Sequence, residues 1–440
     1  MSTQTGKVQS SRMVKNNNAP KFSIIIPSRN GGKYLPSCIS TIISQDYTNY
    51  ELIISDDNSE DSTQEYLSTL EHPKVRIIRP PERLSMAEHW DWALSHVKGE
   101  WLIFVGQDDG LQPYFFQLAD KLTSLANKKN LRAIMSRRAY YYWHGCEPFY
   151  GDTVASYYAS NHLETRSIFV ETLITLIGLQ DYFELPQMYT TSIFHHKIID
   201  KAREKQLGRI MVTHPQDANL AAIACSLEKK YLFSNIPFGW VGSSPISVGL
   251  AVVSEGNIEM DLLKEEYLEK TNTSKLPYNP YVGDFSIGST VLYFYGALLE
   301  TRRLRNRIIN LLFQSRLIKK IVLADAIYEL TRKNITTSMD RMLQLKHAIE
   351  YNGFSFNYLH HYSQHRLVLY KKLIRKIRRT IRLISMSFCA VKELLGIYKK
   401  EISVSLHIDR RNNKIVSILD VQEKIREIIN ENKMIQNILL

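Results

Sequence analysis

The stretch that decides the fold is Lys21–Asp61, KFSIIIPSRNGGKYLPSCISTIISQDYTNYELIISDDNSED. Phe22-Ser23-Ile24-Ile25-Ile26 is a short apolar, β-branched run, the pattern of a buried strand. It stops at a loop, Pro27 to Gly32. From Tyr34 to about Gln45, Leu35, Cys38, Ile39 and Ile42 fall on one face at helical spacing. Glu51-Leu52-Ile53-Ile54-Ser55 is a second buried strand. It closes on Asp56-Asp57-Asn58-Ser59, a cluster suited to a loop or a helix N-cap. Strand, helix and strand in this order make a βαβ unit and imply parallel pairing.

The alternation continues outward. Asp61 to Leu70 is helical and Val75 to Ile78 is a third strand. Met86 to Val97 is a third helix, ended by Gly99. Trp101 to Val105 is a fourth strand, closing on Gly106-Gln107-Asp108-Asp109-Gly110. Pro113 opens a further helix, where its fixed φ suits the first turn. Leu131 to Ser136 reads as a fifth strand. In an open α/β sheet the ligand edge lies at the C-terminal ends of the strands. The loops there carry Arg29-Asn30, Asp56-Asp57 and Asp108-Asp109, so three polar clusters converge on one edge.

Composition bounds the rest. The chain has 440 residues, 44% hydrophobic and 23% charged, which is globular composition with room for two domains or more. The net charge of +12 suits an anionic partner. Cys38, Cys146, Cys225 and Cys389 are scattered, which excludes a zinc ribbon or a disulfide framework. Residues 1–20 are polar, read as a disordered arm and lack the apolar core of a secretory signal. No apolar run is long enough to span a bilayer. The expected location is cytoplasmic, or peripheral on the inner face of the plasma membrane. The expected organisation is the arm, an α/β domain over 21–255 with halves at 21–140 and 141–255, and a basic, mostly helical region over 256–440.

Three signals now agree in order and spacing: Pro27–Asn30, Asp56–Ser59, and Gln107-Asp108-Asp109 after a strand. Lys21–Asp61 and Gly99–Gly110 (GEWLIFVGQDDG) resemble family 2 glycosyltransferases of the GT-A fold, bacterial type. The resemblance is good over 21–140, looser to about 250 and absent beyond 260. It implies a Rossmann-like, mainly parallel sheet flanked by helices. It implies transfer of a sugar from a nucleotide-diphosphate sugar to a hydroxyl of a glycan or lipid-linked acceptor, with inversion. Residue by residue, Asp57 matches the acid that hydrogen-bonds the base, and Pro27 and Arg29 border the nucleoside. Asp109 matches the metal-binding acid of the DxD-type motif, and Asp108 its neighbour toward the ribose or sugar. Arg83 falls where the family contacts donor phosphate or base. Asp217, in His214-Pro215-Gln216-Asp217, stands at the start of a helix where the family places its catalytic base. The common acidic pair reads Gln216-Asp217 here. His214 is a second metal ligand or phosphate contact on this reading.

The chemistry asks for such a set. A divalent cation, Mg²⁺ or Mn²⁺, neutralises the charge growing on a leaving diphosphate, and a carboxylate takes the acceptor's proton. Each residue also has a duller account. Asp56, Asp57 and Asp217 suit helix caps, and Asp108-Asp109-Gly110 suits a plain turn. Arg83 suits a solvated surface charge, and Tyr140 to Trp143 suit ordinary packing as well as an acceptor platform. Capping does not explain why acids recur at the ends of successive strands.

Arg366 to Arg382 holds eight basic residues and no acid. Leu367, Tyr370, Ile374, Ile377 and Ile381 begin an apolar seam that runs on to Tyr398. A basic amphipathic helix over 366–398 fits an anionic membrane surface. The same seam fits a coiled coil, hence a homo-oligomer, or packing on the catalytic domain. Asp420 to Leu440 reads as a further amphipathic helix. Two other functions stay open: a nucleotidyltransferase on a similar sheet, with Gly31-Gly32-Lys33 a faint phosphate loop, and a non-enzymatic membrane- or nucleic-acid-binding protein. No nucleic-acid motif surrounds the basic cluster, so no nucleic-acid partner is expected.

Overall fold

The computed structural model describes residues 19–247, 249–250, 265, 279, 281–282, 287–332, 339–374, 376, 380, 403–412 and 417–431. Two sheets organise it. The larger has strand order β3-β2-β1-β4-β10-β6-β11-β9. Its strands are β1 (Phe22–Ser28), β2 (Tyr50–Asp56), β3 (Val75–Ile78), β4 (Trp101–Phe104), β6 (Ala133–Ser136), β9 (Leu163–Ser167), β10 (Ser192–His195) and β11 (Lys230–Ser234). The smaller has order β13-β8-β7-β12-β5, from β5 (Gly110–Leu111), β7 (Ala139–Tyr142), β8 (Thr153–Ser160), β12 (Gly239–Ser243) and β13 (Ser403–Asp409).

The helices of the first half are α1 (Leu35–Ile43), α2 (Thr63–Thr69), α3 (Met86–Leu94), α4 (Phe115–Lys128), α5 (Glu147–Tyr150), α6 (Ile168–Leu176), α7 (His196–Lys205) and α8 (Gln216–Leu227). The helical region holds α9 (Thr290–Glu300), α10 (Arg307–Phe313), α11 (Arg316–Arg332), α12 (Met339–Tyr351) and α13 (Phe356–Tyr362), and α14 (Ile418–Glu431) comes last. No helix among the described residues is long and apolar enough to cross a membrane.

The four strands read from the opening stretch pair in parallel, β1 with β2 and β4, and β2 with β3. Their side chains alternate between two cores. Ile24, Ile26, Leu52, Ile54 and Ile103 face α1 and α4, while Ile25, Ile53, Leu102 and Phe104 face α3, α7 and α8. Both faces are covered, which is why the runs read as continuous apolar sequence rather than alternation. The parallel character weakens beyond β4. Strand β10 inserts antiparallel between β4 and β6, and β9 pairs antiparallel with β11. The sheet is therefore mixed, with a parallel half that carries the motifs. This is a GT-A-like α/β fold with a helical C-terminal region.

Two features of that region depart from expectation. Ser403–Asp409 is a strand, antiparallel to β8. Val404, Leu406 and Ile408 alternate with Ser403, Ser405 and His407, a period-two signal inside a region otherwise read as helical. Helix α14 then lays Ile418, Val421 and Ile425 into the core shared by α1 and α4, and Gln422 Nε2 donates to the Leu111 carbonyl. Helix α14 thus packs behind the loop that follows β4. The expected basic helix is described only to Ile374, with Lys376 and Thr380 beyond; most of 375–398 lies outside the described residues. Within the described part Leu367 is buried and Tyr370 is exposed. Lys371 is buried, its Nζ paired with Asp325 of α11.

Candidate functional site

Strand ends bring the polar loops together as the βαβ pattern requires. In the β1–β2 ladder Ser28 lies opposite Asp56, so the loops that follow start side by side. Gln107, after β4, joins them. Its Oε1 accepts from Ser28 Oγ at 2.8 Å and from the Arg29 amide at 3.0 Å, and its Nε2 donates to the Arg29 carbonyl at 3.1 Å. Arg29 Nη1 donates in turn to the carbonyls of Asp57 at 2.9 Å and Asn58 at 2.7 Å. Three loops are thereby locked into one rim.

The rim borders a cleft of about 1400 Å³. Of the residues expected from sequence, Pro27, Arg29, Asp57, Arg83, Asp108 and Asp217 line it. Asp109 and His214 do not. His214 is an inward-facing imidazole whose pKa burial lowers to about 4, so it is neutral at pH 7.

Each acidic pair splits into a bracing acid and a cleft acid. Asp56 is fully buried, accepts from the Ser59 amide at 3.1 Å and from Ser59 Oγ at 2.5 Å, and pairs with Arg79. Asp56 thus closes the turn after β2 and does not cap α2, whose N-cap is Ser62. Asp57 Oδ1 accepts from the Leu84 amide at 2.9 Å beside the cleft. Burial raises the Asp57 carboxyl's pKa, opposed by the Leu84 N–H and by Arg29 and Arg83.

In the second pair the later acid is the buried one. Asp109 is 0% exposed. Its Oδ2 accepts from the Gly106 amide at 3.0 Å and from Thr190 Oγ1, and its Oδ1 from the Gly242 amide at 2.6 Å. Both oxygens are spent tying the β4 loop to β12 and to the segment before β10. Burial and the neighbouring Asp108 raise its pKa. Asp108 is the acid on the cleft wall. Its Oδ2 accepts from Ser244 Oγ and Ser247 Oγ, each at 2.6 Å, and its carbonyl accepts from Trp143 Nε1 at 2.7 Å. The metal role that the sequence assigns to Asp109 thus falls on a buried carboxylate that already accepts from three donors, while Asp108 is the acid on the cleft wall. Glycine is required at 242, where a Cβ would stand 1.9 Å from the Asp108 carbonyl oxygen.

Asp217 stands in the first turn of α8, reached from the far side of the cleft. Its Oδ2 accepts from Tyr182 OH at 2.9 Å and its Oδ1 from the Ala218 amide at 2.8 Å. Burial raises its pKa, opposed by the Tyr182 hydrogen bond, the Ala218 N–H and the Arg138 guanidinium. A carboxylate poised upward in this way accepts a proton more readily. Beside it, Arg138 lies over the Phe183 ring at 4.7 Å, and its Nε has no hydrogen-bond partner among the described residues.

Several cleft residues escaped sequence reading. Arg138, Tyr182, Ser244 and Ser247 belong to no motif in the chain, and only folding brings them near the acids. Tyr140 and Tyr142 are cleft-lining members of β7, ring centroids 6.2 Å apart and parallel within 2°, while Tyr141 and Trp143 point into the core. The helical region closes the remaining wall with Thr290, Val291, Tyr293, Asp325, Tyr328, Glu329 and Lys371.

Residues 23–150 match the family model described as Glycosyl transferase family 2. The glycosyltransferase GlyG of Streptococcus pneumoniae is 33% identical over 90 residues, 20% of this chain and 30% of that protein. The GalNAc(5)-diNAcBac-PP-undecaprenol β-1,3-glucosyltransferase of Campylobacter jejuni is 31% identical over 114 residues, 25% of this chain and 35% of that protein. The chain thus spans about a third of the length of these relatives. Among solved structures, S. aureus TarS 1–349 in complex with UDP-GlcNAc aligns with a TM-score of 0.46 and 13% identity, covering 82% of this chain and 92% of that one. Residues 23–150 are thus similar to family 2 glycosyltransferases.

Proposed function

We propose that the cleft transfers a sugar from a nucleoside-diphosphate sugar to a hydroxyl of a lipid-linked or polysaccharide acceptor, with inversion at the anomeric carbon. The observation that carries this reading is the convergence of Asp57, Asp108 and Asp217, from three distant parts of the chain, on one cleft. The acceptor class is supported by the C. jejuni relative, whose name specifies an undecaprenol-diphosphate-linked glycan.

In this reading Asp57, with Pro27, Arg29 and Arg83 nearby, receives the nucleoside. Asp217 Oδ2 takes the proton of the attacking hydroxyl. The acceptor oxygen bonds the anomeric carbon as its bond to the diphosphate breaks, and the electron pair leaves on the diphosphate. Tyr182 orients the Asp217 carboxylate, and Arg138 favours its ionised form.

A divalent cation fits this cleft in one form. No group of three or more His, Cys, Asp or Glu among the described residues is placed to hold a metal ion. Mg²⁺ is commonly held by one or two carboxylates plus substrate phosphates and water, so Asp108 with the donor diphosphate would suffice. When bound, Mg²⁺ or Mn²⁺ supplies Lewis-acid stabilisation of the leaving diphosphate.

The test is a screen of nucleotide sugars with lipid-linked saccharide acceptors, with and without EDTA. Release of nucleoside diphosphate with glycosylated lipid supports the reading. Transfer that survives EDTA removes the cation from it, transfer that survives Asp217→Ala removes the base, and release of pyrophosphate replaces it with nucleotidyl transfer.

A further inference from the structure

Helix α9 begins on the cleft wall at Thr290 and leads away from it. The chain that follows, residues 301–324 (TRRLRNRIINLLFQSRLIKKIVLA), holds seven Lys or Arg and no Asp or Glu. Part of this segment is spent on the interior. Leu304, Phe313 and Ile318 are buried, and Arg305 turns inward to Ser226 Oγ at 2.5 Å and Thr301 Oγ1 at 3.1 Å.

The outward part is apolar and cationic at once. Ile308 is 77% exposed, Leu311 61%, Leu312 38% and Leu317 65%. Ile308, Leu311 and Leu312 share the i, i+3, i+4 spacing of one helix face on α10. Arg302, Arg303, Arg307 and Arg316 are exposed on the same short stretch. Arg303 and Arg307 form no ion pair among the described residues, and Arg302 reaches Glu300 only at 3.9 Å.

Single exposed leucines are ordinary on a helix, but a contiguous apolar patch on a surface marks something that covers it. Here the patch is flanked by four exposed arginines, and among the described residues the long Arg302–Glu300 contact is the one ion pair they make. That arrangement repels a second positively charged copy of this chain, whose net charge is +12. It complements a plane of phosphates over an apolar layer. We propose that α10 and its flanks dock this protein on an anionic lipid bilayer. Ile308, Leu311, Leu312 and Leu317 enter the boundary between headgroups and acyl chains, and Arg302, Arg303, Arg307 and Arg316 lie on lipid phosphates. Helix α9, 11 residues long, separates this surface from the cleft wall by roughly 16 Å at 1.5 Å per residue. If the acceptor is lipid-linked, docking holds the cleft within reach of it; that consequence rests on the transfer reading, and the docking does not.

The test is cosedimentation of the full-length chain with phosphatidylglycerol-rich vesicles and with pure phosphatidylcholine vesicles. It needs no donor or acceptor, so it stands apart from any failure of the transfer assay. The wild type is expected on the anionic vesicles and not on the zwitterionic ones. Arg303→Glu/Arg307→Glu is expected to weaken partitioning at least about 25-fold, at roughly fivefold per basic residue removed. Ile308→Ser/Leu311→Ser/Leu317→Ser is expected to abolish the binding that survives raised salt. Both variants change exposed positions, so an unchanged Tm checks the fold. Equal binding to both vesicles, or variants that bind as wild type does, overturns the proposal, the latter by placing bilayer contact elsewhere in the chain. A concentration-dependent mass in light scattering, removed by the serine variant and without vesicle binding, overturns it in favour of a second copy.

Discussion

Asp108 and Asp109 are adjacent in sequence and opposite in circumstance, which makes a paired substitution decisive. Asp109→Asn keeps the shape but places an amide nitrogen where a carboxylate oxygen now accepts. With the amide oxygen kept toward Gly106 N and Thr190 Oγ1, the amide nitrogen meets the Gly242 N–H, whose present bond is 2.6 Å. One buried donor is left facing another, at a cost of about 1–3 kcal/mol. Asp109→Ala strands all three donors, for on the order of 3 kcal/mol or more. At about 2–4 °C per kcal/mol for a domain of the size of the α/β half, the alanine variant should melt roughly 6–12 °C lower. Asp108→Asn should behave in reverse. Its side-chain partners are two serine hydroxyls, which can rotate to accept from an amide, so Tm should change little. Loss of the negative charge should cut sugar transfer by about 100-fold or more and raise the half-saturating Mn²⁺ concentration. The assays are thermal denaturation and transfer rate against Mn²⁺, with both variants side by side. The reasoning fails if Asp108→Asn retains wild-type Mn²⁺ dependence, or if Asp109→Asn loses that dependence while its Tm is unchanged.

Other consequences are open to measurement. Asp217 must be ionised to accept a proton, and its raised pKa puts the acid limb of kcat/KM above the ordinary carboxylate range. Arg138→Met removes a cation that favours the ionised form, so a pH–rate profile should show that limb shifted upward; an unmoved limb would separate Arg138 from Asp217. The Asp325–Lys371 pair is buried, at 6% and 4% exposure, and Asp325→Ala, which strands the lysine, should cost about 3–5 kcal/mol by denaturant titration. Replacing both with Leu should recover part of that loss. Gly242→Ala should displace the Asp108 loop and abolish transfer, and a variant of wild-type rate would show that the loop is free to shift.

What the sequence determined by itself is the parallel half of the sheet and the edge on which its loops gather. Runs such as Ile24–Ile26 and Leu52–Ile54 are apolar on both faces, and such strands pair only between covering helices, so period and length sufficed. Once the strands are parallel, the loops after β1, β2 and β4 share an edge, and Asp57 and Asp108 come to the same cleft without further information. Tertiary structure decided which acid of each pair faces the cleft. Neighbouring residues differ in direction, and that direction is set by partners far away in the chain: Gly242 and Thr190 for Asp109, Ser244 and Ser247 for Asp108. It also decided the far wall. Arg138, Tyr182 and the residues of α9 and α11 carry no local pattern of a binding site, because their chemistry arises from the packing of α8 against the helical region rather than from spacing. The same holds at the chain's end, where the alternation of Val404, Leu406 and Ile408 marks a strand but says nothing of the edge it joins. Short-range periodicity reports on elements; the pairing of elements distant in sequence is set by the burial of faces that meet only in the folded chain.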